Sequence, residues 1–519
     1  MVPRSLVVAA IFGVITAIAW LGVVWRWERG TPRSAATRVS APARRWQTVE
    51  KFCNTCHQLP PANVEPRHLW PQKIKEMYGY AEAGGPWPKT EIPPIEEPIA
   101  YFRARAPEHL ELPPDASGSP PSSFPFEKQL IALEAIPNPP AVSCVKFVRL
   151  VAGGPVQLLI SDMRHGVVAL WTPVRPAEPA RVIGRVPHAC RTTVVDLDGD
   201  GILDVVVAGL GDFWPVDTIK GSVVWLRGRG DCRYEPYTLL DGVGRVCEVQ
   251  AADFDGDGDL DLIVAMFGNF HGGSILYLEN CTEDWSRPDF EPSVIDTYTG
   301  ASDVPIVDLN QDGRPDFVAL QAQQHERIVA FLNVGRGRFE SHLIYAAPHP
   351  RWGSTGIKLV DLDGDGDIDV LYNHGDSVQI PPVPRPYHGV SWLENEGRFP
   401  FTYHRIAHMP GAHTCQPADL DGDGKLAILS SAFIPAFNLR WPNANWLESL
   451  VWFEQTAPGQ FQRYVIENGF PFHPCADACD YDEDGDVDVA FGNFMMFPDK
   501  ALDPMPCITL LESHRVDRK

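Results

Sequence analysis

The segment Asp253-Phe-Asp-Gly-Asp-Gly-Asp-Leu-Asp261 runs directly into the apolar Leu-Ile-Val-Ala. The same nine-residue pattern returns at Asp196–Asp204, Asp308–Asp316, Asp361–Asp369 and Asp480–Asp488, each time ahead of a strand-like run. A degraded copy begins at Asp419 and has Ala427 at its ninth position. The first aspartates are spaced by 57, 55, 53, 58 and 61 residues. A fixed period of this size marks a solenoid, a propeller or an array. Within one repeat, four short alternating or β-branched runs follow one another: CEVQAADFD, DLIVAMFG, GSILYLEN and FEPSVIDTY. No helical period separates them. Four antiparallel strands per repeat make a propeller blade.

The loop itself implies a cation. Its first, third, fifth and ninth side chains are carboxylates or an amide, and oxygen donors this dense repel one another without a metal. Oxygen ligands around a tight glycine turn suit Ca²⁺, with a backbone carbonyl expected at the seventh position. The start is like an EF-hand, but the twelfth position is Val207 or Val264 rather than a bidentate Glu, and the flanks are strands. The expected side-chain ligands are Asp196, Asp198, Asp200 and Asp204 in the first loop, and Asp253, Asp255, Asp257 and Asp261 in the second. The third offers Asp308, Asn310, Asp312 and Asp316, and the fourth Asp361, Asp363, Asp365 and Asp369. The last offers Asp480, Asp482, Asp484 and Asp488. About five calcium ions are expected, structural rather than catalytic, while Asp419, Asp421 and Asp423 form a weak site or none. These loops resemble the FG-GAP/VCBS repeats of integrin-like β-propellers over roughly residues 140–519. The resemblance implies a calcium-braced propeller and no particular activity, because the fold hosts adhesion modules, lectins and lyases.

Seven third strands can be followed along the chain, at 167–171, 222–226, 274–278, 328–332, 390–393, 450–453 and 508–511. The first repeat lacks the aspartates, yet CVKFVRLVAGGPVQLLIS aligns without gaps onto CRTTVVDLDGDGILDVVV. The last repeat stops after its third strand. A fourth-strand pattern instead precedes the first repeat, as FPFEKQLIAL at 124–133. This strand is predicted to pair into the last blade and close the ring, leaving no sheet edge open. The expected propeller therefore spans 124–519, behind a Pro/Ser-rich linker at 113–123.

Ahead of it stands Cys53-Asn-Thr-Cys56-His57. Two cysteines and an adjacent histidine at this spacing suit one covalent haem c, with His57 as axial iron ligand. A zinc site would want a second ligand pair nearby, and a thioredoxin-like motif a βαβ context; neither is present. Residues 45–112 resemble a small all-α cytochrome c domain, in the version running CNTCHQLPPANVEPRHLWPQKIKEM. The resemblance implies Met77 as sixth ligand, with His68 the alternative, and a haem attached outside the cytoplasm. Helices are expected through WQTVEKFC and through IEEPIAYFRARA at 95–106.

Residues 5–25 carry no charge, which is long enough for a transmembrane helix; Trp20, Trp25 and Trp27 suit an interface. Residues 1–30 are read as a membrane anchor, or as a signal peptide cut near Ala17-Ile-Ala19, and 31–44 as a linker. Arg26, Arg29 and Arg33 follow the segment and only Arg4 precedes it, which taken alone favours a cytoplasmic chain. The haem motif points instead to the periplasm or another extracytoplasmic compartment. A net charge of −23 without a basic stripe argues against nucleic acid.

The loops opposite the aspartate turns are longer and more varied. They carry His271, His325, His374, His388, Trp441 and Trp446, and the blade entries add His188, Arg191, Arg245, Trp352, His413 and His473. Cys144, Cys190 and Cys247 align at the start of successive inner strands, so a disulfide or a metal site at the channel mouth is one reading and small buried side chains the other. The leading expectation is an electron-transfer protein with a redox partner protein, its propeller a docking or ligand-binding platform rather than an enzyme. A haem-linked dehydrogenase and a polysaccharide- or protein-binding module are the alternatives.

Overall fold

The computed structural model describes residues 41–514 apart from 56, 85–91, 114–117, 123–124, 269–270, 379–381, 421 and 442–444. The anchor expectation at 5–25 and Cys56 lie outside the described residues. Among the described residues no helix is long and apolar enough to cross a membrane. The chain divides into two compact units, residues 1–51 and 52–519.

The second unit is mainly β, and its strands form seven sheets around one ring. Blades one, two, three, five and six each contain four consecutive antiparallel strands. In blade three these are Val246–Ala252, Asp261–Met266, Ser274–Asn280 and Phe290–Asp296. The second and third strands are buried on both faces because neighbouring blades pack against each side, so they read as continuous apolar runs. The outermost strand is largely exposed, from Glu291 through Val294. Blade four breaks its inner strand into Ala301–Asp303 and Ile306–Val307 around Pro305, which has no N–H to give to the ladder.

Blade seven is completed from the other end of the chain. Phe126–Ile131 runs antiparallel to Ile508–Ser513, from Phe126 opposite Ser513 to Ile131 opposite Ile508. The sheet order places it outermost, beyond Asp488–Gly492 and Cys475–Cys479. The expected closure is therefore present, and the linker is fastened nearby, where Ser122 N donates to the Val465 carbonyl.

Among the described residues three α-helices lie ahead of the ring: α1, Ala41–Cys53; α2, Trp70–Gly84; and α3, Glu96–Arg103. The first and third match the expected positions, and α2 adds an element that the sequence reading did not assign. Pro71 stands in its first turn, where a missing N–H costs nothing. Trp70 of α2 stacks on Phe102 of α3 with ring centroids 3.9 Å apart, and its indole N–H donates to the Ala62 carbonyl at 3.0 Å.

Candidate functional site: a cavity between the helical segment and the propeller

Strand order assigns the loops to two ends. The aspartate turns join first to second strands. Second-to-third loops and blade entries lie at the opposite end, and there the helical segment is docked. Glu65, in the turn before α2, is fully buried and receives Arg351 at 2.7 Å and Arg385 at 2.8 Å. Arg351 enters blade five, and Arg385 lies in that blade's second-to-third loop. Burial works against ionisation of Glu65, but the Arg385 and Arg351 charges outweigh it and hold the carboxyl below its usual range. The Tyr387 hydroxyl adds a hydrogen bond to the Val64 carbonyl at 3.3 Å.

Behind this clamp lies a cavity of about 520 Å³. Its helical side is formed by Phe52, Cys53, His57, Trp70, Met77 and Phe102. Its propeller side is formed by His271, Gln324, Glu326, Arg351, Ser354 and Asp376. The size falls within the ~300–1,000 Å³ usual for cofactor sites, and apolar walls with a few polar groups are their normal lining. Two expected haem residues, His57 and Met77, thus face one space, whereas His68 is exposed and lies outside its lining.

His57 is held with one ring nitrogen bonded and the other open. Its Nδ1 lies 2.8 Å from the Gln58 carbonyl, which can only accept, so Nδ1 carries the hydrogen and Nε2 keeps its lone pair. Burial, together with the nearby Arg351 charge, pushes the imidazole below its usual pKa despite that hydrogen bond.

Glu326, in the second-to-third loop of blade four, lines the propeller side of the same cavity. It is 3 % exposed, and its carboxylate accepts from Ser354 N at 2.8 Å and from Ser354 Oγ. Burial pushes it up to about 7. The sequence reading picked out this loop for His325, and the blade-five loop for His374 and His388. The cavity instead takes Glu326 and Arg385 from them. His325 packs edge-on against Tyr298, and His374 and His388 are buried within blade five. Among the other loop residues singled out, Trp352 stacks on Tyr387, Trp441 and Trp446 pack around Phe437, and His473 pairs with Glu467. His188 Nδ1 lies 3.2 Å from the Met163 carbonyl, and Arg245 is held by the carbonyls of Asp212 and Trp214.

At the channel, the first two residues of the inner strands form a bulge in six blades, which re-aims the inserted side chain. Cys190, Cys247 and His413 occupy it. The Cys190 and Cys247 thiols lie close enough across blades two and three to act on each other, which with burial pushes the Cys190 thiol well up and, against burial, holds the Cys247 thiol down. Cys144, Cys190 and Cys247 form no disulfide. Arg191 pairs with Asp303 at 2.9 Å, and His413 Nδ1 lies 2.9 Å from the Pro474 carbonyl.

The aspartate turns share one geometry at the other end. The glycine N–H at the sixth position donates to the first aspartate in all six copies, for example Gly201 to Asp196 at 2.8 Å and Gly424 to Asp419 at 3.0 Å. The ninth-position aspartates Asp204, Asp261, Asp316, Asp369 and Asp488 are buried and brace the turn to the end of the third strand, as in Asp316 accepting from Asn333 N at 2.7 Å. Three carboxylates converge in four loops: Asp196, Asp198 and Asp204; Asp253, Asp255 and Asp261; Asp361, Asp363 and Asp369; Asp480, Asp482 and Asp488. The Asp308 loop substitutes the Asn310 amide. Arg227 pairs with Asp198 in the first loop. Asp421 lies outside the described residues.

A family model described as an FG-GAP-like repeat matches residues 196–264 and 308–372. Human (Homo sapiens) cartilage acidic protein 1 is 29 % identical over 144 residues, which cover 26 % of this chain and 21 % of that protein. The chain thus spans about a fifth of the length of this curated relative. The crystal structure of selenomethionine-substituted virginiamycin B lyase from Staphylococcus aureus superposes with a TM-score of 0.46 at 11 % identity, covering 76 % of this chain and 100 % of that one. This chain carries FG-GAP-like repeats on a seven-bladed β-propeller.

Proposed function

We propose that this protein is a membrane-anchored, extracytoplasmic electron carrier of the cytochrome c type, whose propeller forms one wall of the haem site and a docking platform for a redox partner protein. The observation that carries this reading is the single cavity onto which Cys53, His57 and Met77 open. Cys53 and Cys56 would hold the group by thioethers, and His57 Nε2 and the Met77 sulfur would be its axial ligands. Haem iron supplies reversible one-electron chemistry when bound. The chain's own part is to bury the site, to fix the histidine tautomer through Gln58, and to hold the propeller wall in place through Glu65. The repeated carboxylate clusters at the far end support about five Ca²⁺ ions that stiffen the turns. The exposed Trp214 and Trp446, at 46 % and 39 %, lie in loops of the cavity end and suit a partner surface.

The test is a cofactor inventory of purified full-length protein. Native mass compared with denatured mass, beside a visible spectrum, should give one covalent haem and calcium alone. Met77→Ala should abolish the sulfur-to-iron charge-transfer band, and His68→Ala should leave it. A protein without covalent haem sinks the reading. Release of an organic cofactor or a transition metal on denaturation turns it toward the dehydrogenase alternative.

A further inference from the structure

The propeller side of the cavity holds a buried acid without a counter-charge, and this goes beyond haem carriage, although it rests on that reading. Among the described residues Glu326 forms no ion pair; its carboxylate is held by the Ser354 amide and hydroxyl. The two arginines that face the cavity are already committed to Glu65. Ser354 Oγ also lies 2.5 Å from the Tyr372 hydroxyl. Since Ser354 gives its proton to Glu326, Tyr372 must donate to Ser354. All donors in this row therefore point at the carboxylate. The backbone supports a functional reading of this loop. Gln323 and Glu326 adopt φ of +62° and +45°, a region that side-chain-bearing residues rarely occupy without a compensating use.

We propose that Glu326 is the proton acceptor of a proton-coupled electron transfer at this cavity, positioned by Ser354 and Tyr372. One electron comes from a one-electron donor, a redox protein or a chemical reductant, and one proton comes from water. The electron would lower the oxidation state of the haem iron by one, and as the Glu326 carboxylate gains its O–H bond, one O–H bond of a solvent hydronium ion or water molecule breaks and leaves water or hydroxide in the solvent. The reason is electrostatic. Adding an electron to a low-dielectric space raises the proton affinity of an uncompensated carboxylate within it. The burial that already pushes Glu326 up to about 7 brings this coupling into the neutral range.

Other groups face the same space. Asp376 adds negative charge beside Glu326. Arg351 and Arg385 share the single negative charge of Glu65, the positive charge left over lies within reach of the Asp376 carboxylate, and Lys73 and Glu76 of α2 pair with each other at 2.9 Å. Tyr78, Tyr80, His57 and His271 line the cavity, and Tyr372 and Tyr387 sense the Glu326 charge. Haem propionates would titrate as well, so the decisive comparison is between variants.

The experiment is spectroelectrochemical titration of the full-length holoprotein from pH 5 to 9. The wild-type midpoint potential should fall with pH across neutrality, approaching 59 mV per unit, the value for one proton per electron. Glu326→Gln should flatten that slope while its visible spectrum and melting temperature stay close to wild type. Asp376→Asn should retain the slope. Ser354→Ala, which removes a hydrogen bond to the carboxylate, should move the sloping region to higher pH. An unchanged slope in Glu326→Gln, or a flat wild type that still carries haem, overturns the inference and leaves electron carriage standing. A protein without covalent haem removes both.

Discussion

Glu65 reads in sequence as an ordinary loop acid between Val64 and Pro66. Its partners stand 286 and 320 residues downstream, so no local pattern announces them. Yet it is the most consequential charge at the junction, because removing it strands Arg385, which is 1 % exposed. An unpaired buried charge costs about 3–5 kcal/mol, far more than the net worth of the intact pair. Glu65→Ala is therefore expected to lower stability by that order in denaturant unfolding and to speed protease cleavage at 113–123. Arg351→Ala should cost less, since the Arg351 side chain is 33 % exposed and water can take over part of its role. Equal losses for the two variants would show that the junction does not depend on the buried half of the clamp.

Among the elements, the closing strand Phe126–Ile131 decides whether the ring has a free edge. Its side chains are largely exposed, Leu130 at 56 %, so its contribution is the hydrogen-bond ladder to Ile508–Ser513 rather than apolar burial. On an outermost strand alternate N–H groups face the partner and the solvent. Prolines placed singly at Lys128 and at Gln129 should therefore differ. The one that removes a ladder donor is expected to cost at least about 1 kcal/mol more than the other. Similar melting temperatures for both would mean that closure does not depend on this pairing. The strand was legible because its pattern matches the fourth strand of the other blades and the last blade lacks one. Seven third strands were legible for the same reason, repetition. Helix α2 was not, although it carries Met77: Pro71 and Gly79 interrupt its pattern, and its apolar and polar residues balance. The cavity was legible only as a set of varied loops. Its walls join residues near 53 to residues near 385, and Glu326 and Arg385 sit in loops that drew attention for their histidines and tryptophans.

At the scale of the whole molecule, charge is sorted between the two ends of the ring. One end gathers the aspartate turns that account for much of the −23 net charge, and the other carries the cavity. The ninth-position carboxylates make the first end pH-sensitive. Burial, outweighing their backbone hydrogen bonds, pushes Asp204, Asp261 and Asp369 up to about 6 and Asp488 to about 7, from an ordinary value of 3.8. These are raised acid pKa values, so the metal-free fold binds more protons than the unfolded chain between those limits. Its stability is then fully supported below pH 3.8 by these groups and declines as pH rises toward 7. A bound divalent cation replaces the protons and reverses the trend. In chelator, the propeller should melt at a higher temperature at pH 5 than at pH 7.5. Added Ca²⁺ should raise the melting temperature strongly at pH 7.5 and weakly at pH 5, where it must displace protons. Each site occupied at a hundred times its Kd should add about 2.7 kcal/mol. Asp261→Asn should reduce the calcium response while flattening the pH dependence in chelator. A calcium response that is absent at pH 7.5 would leave the turns braced by their own hydrogen bonds, with Arg227 beside Asp198 as a cation the first loop uses.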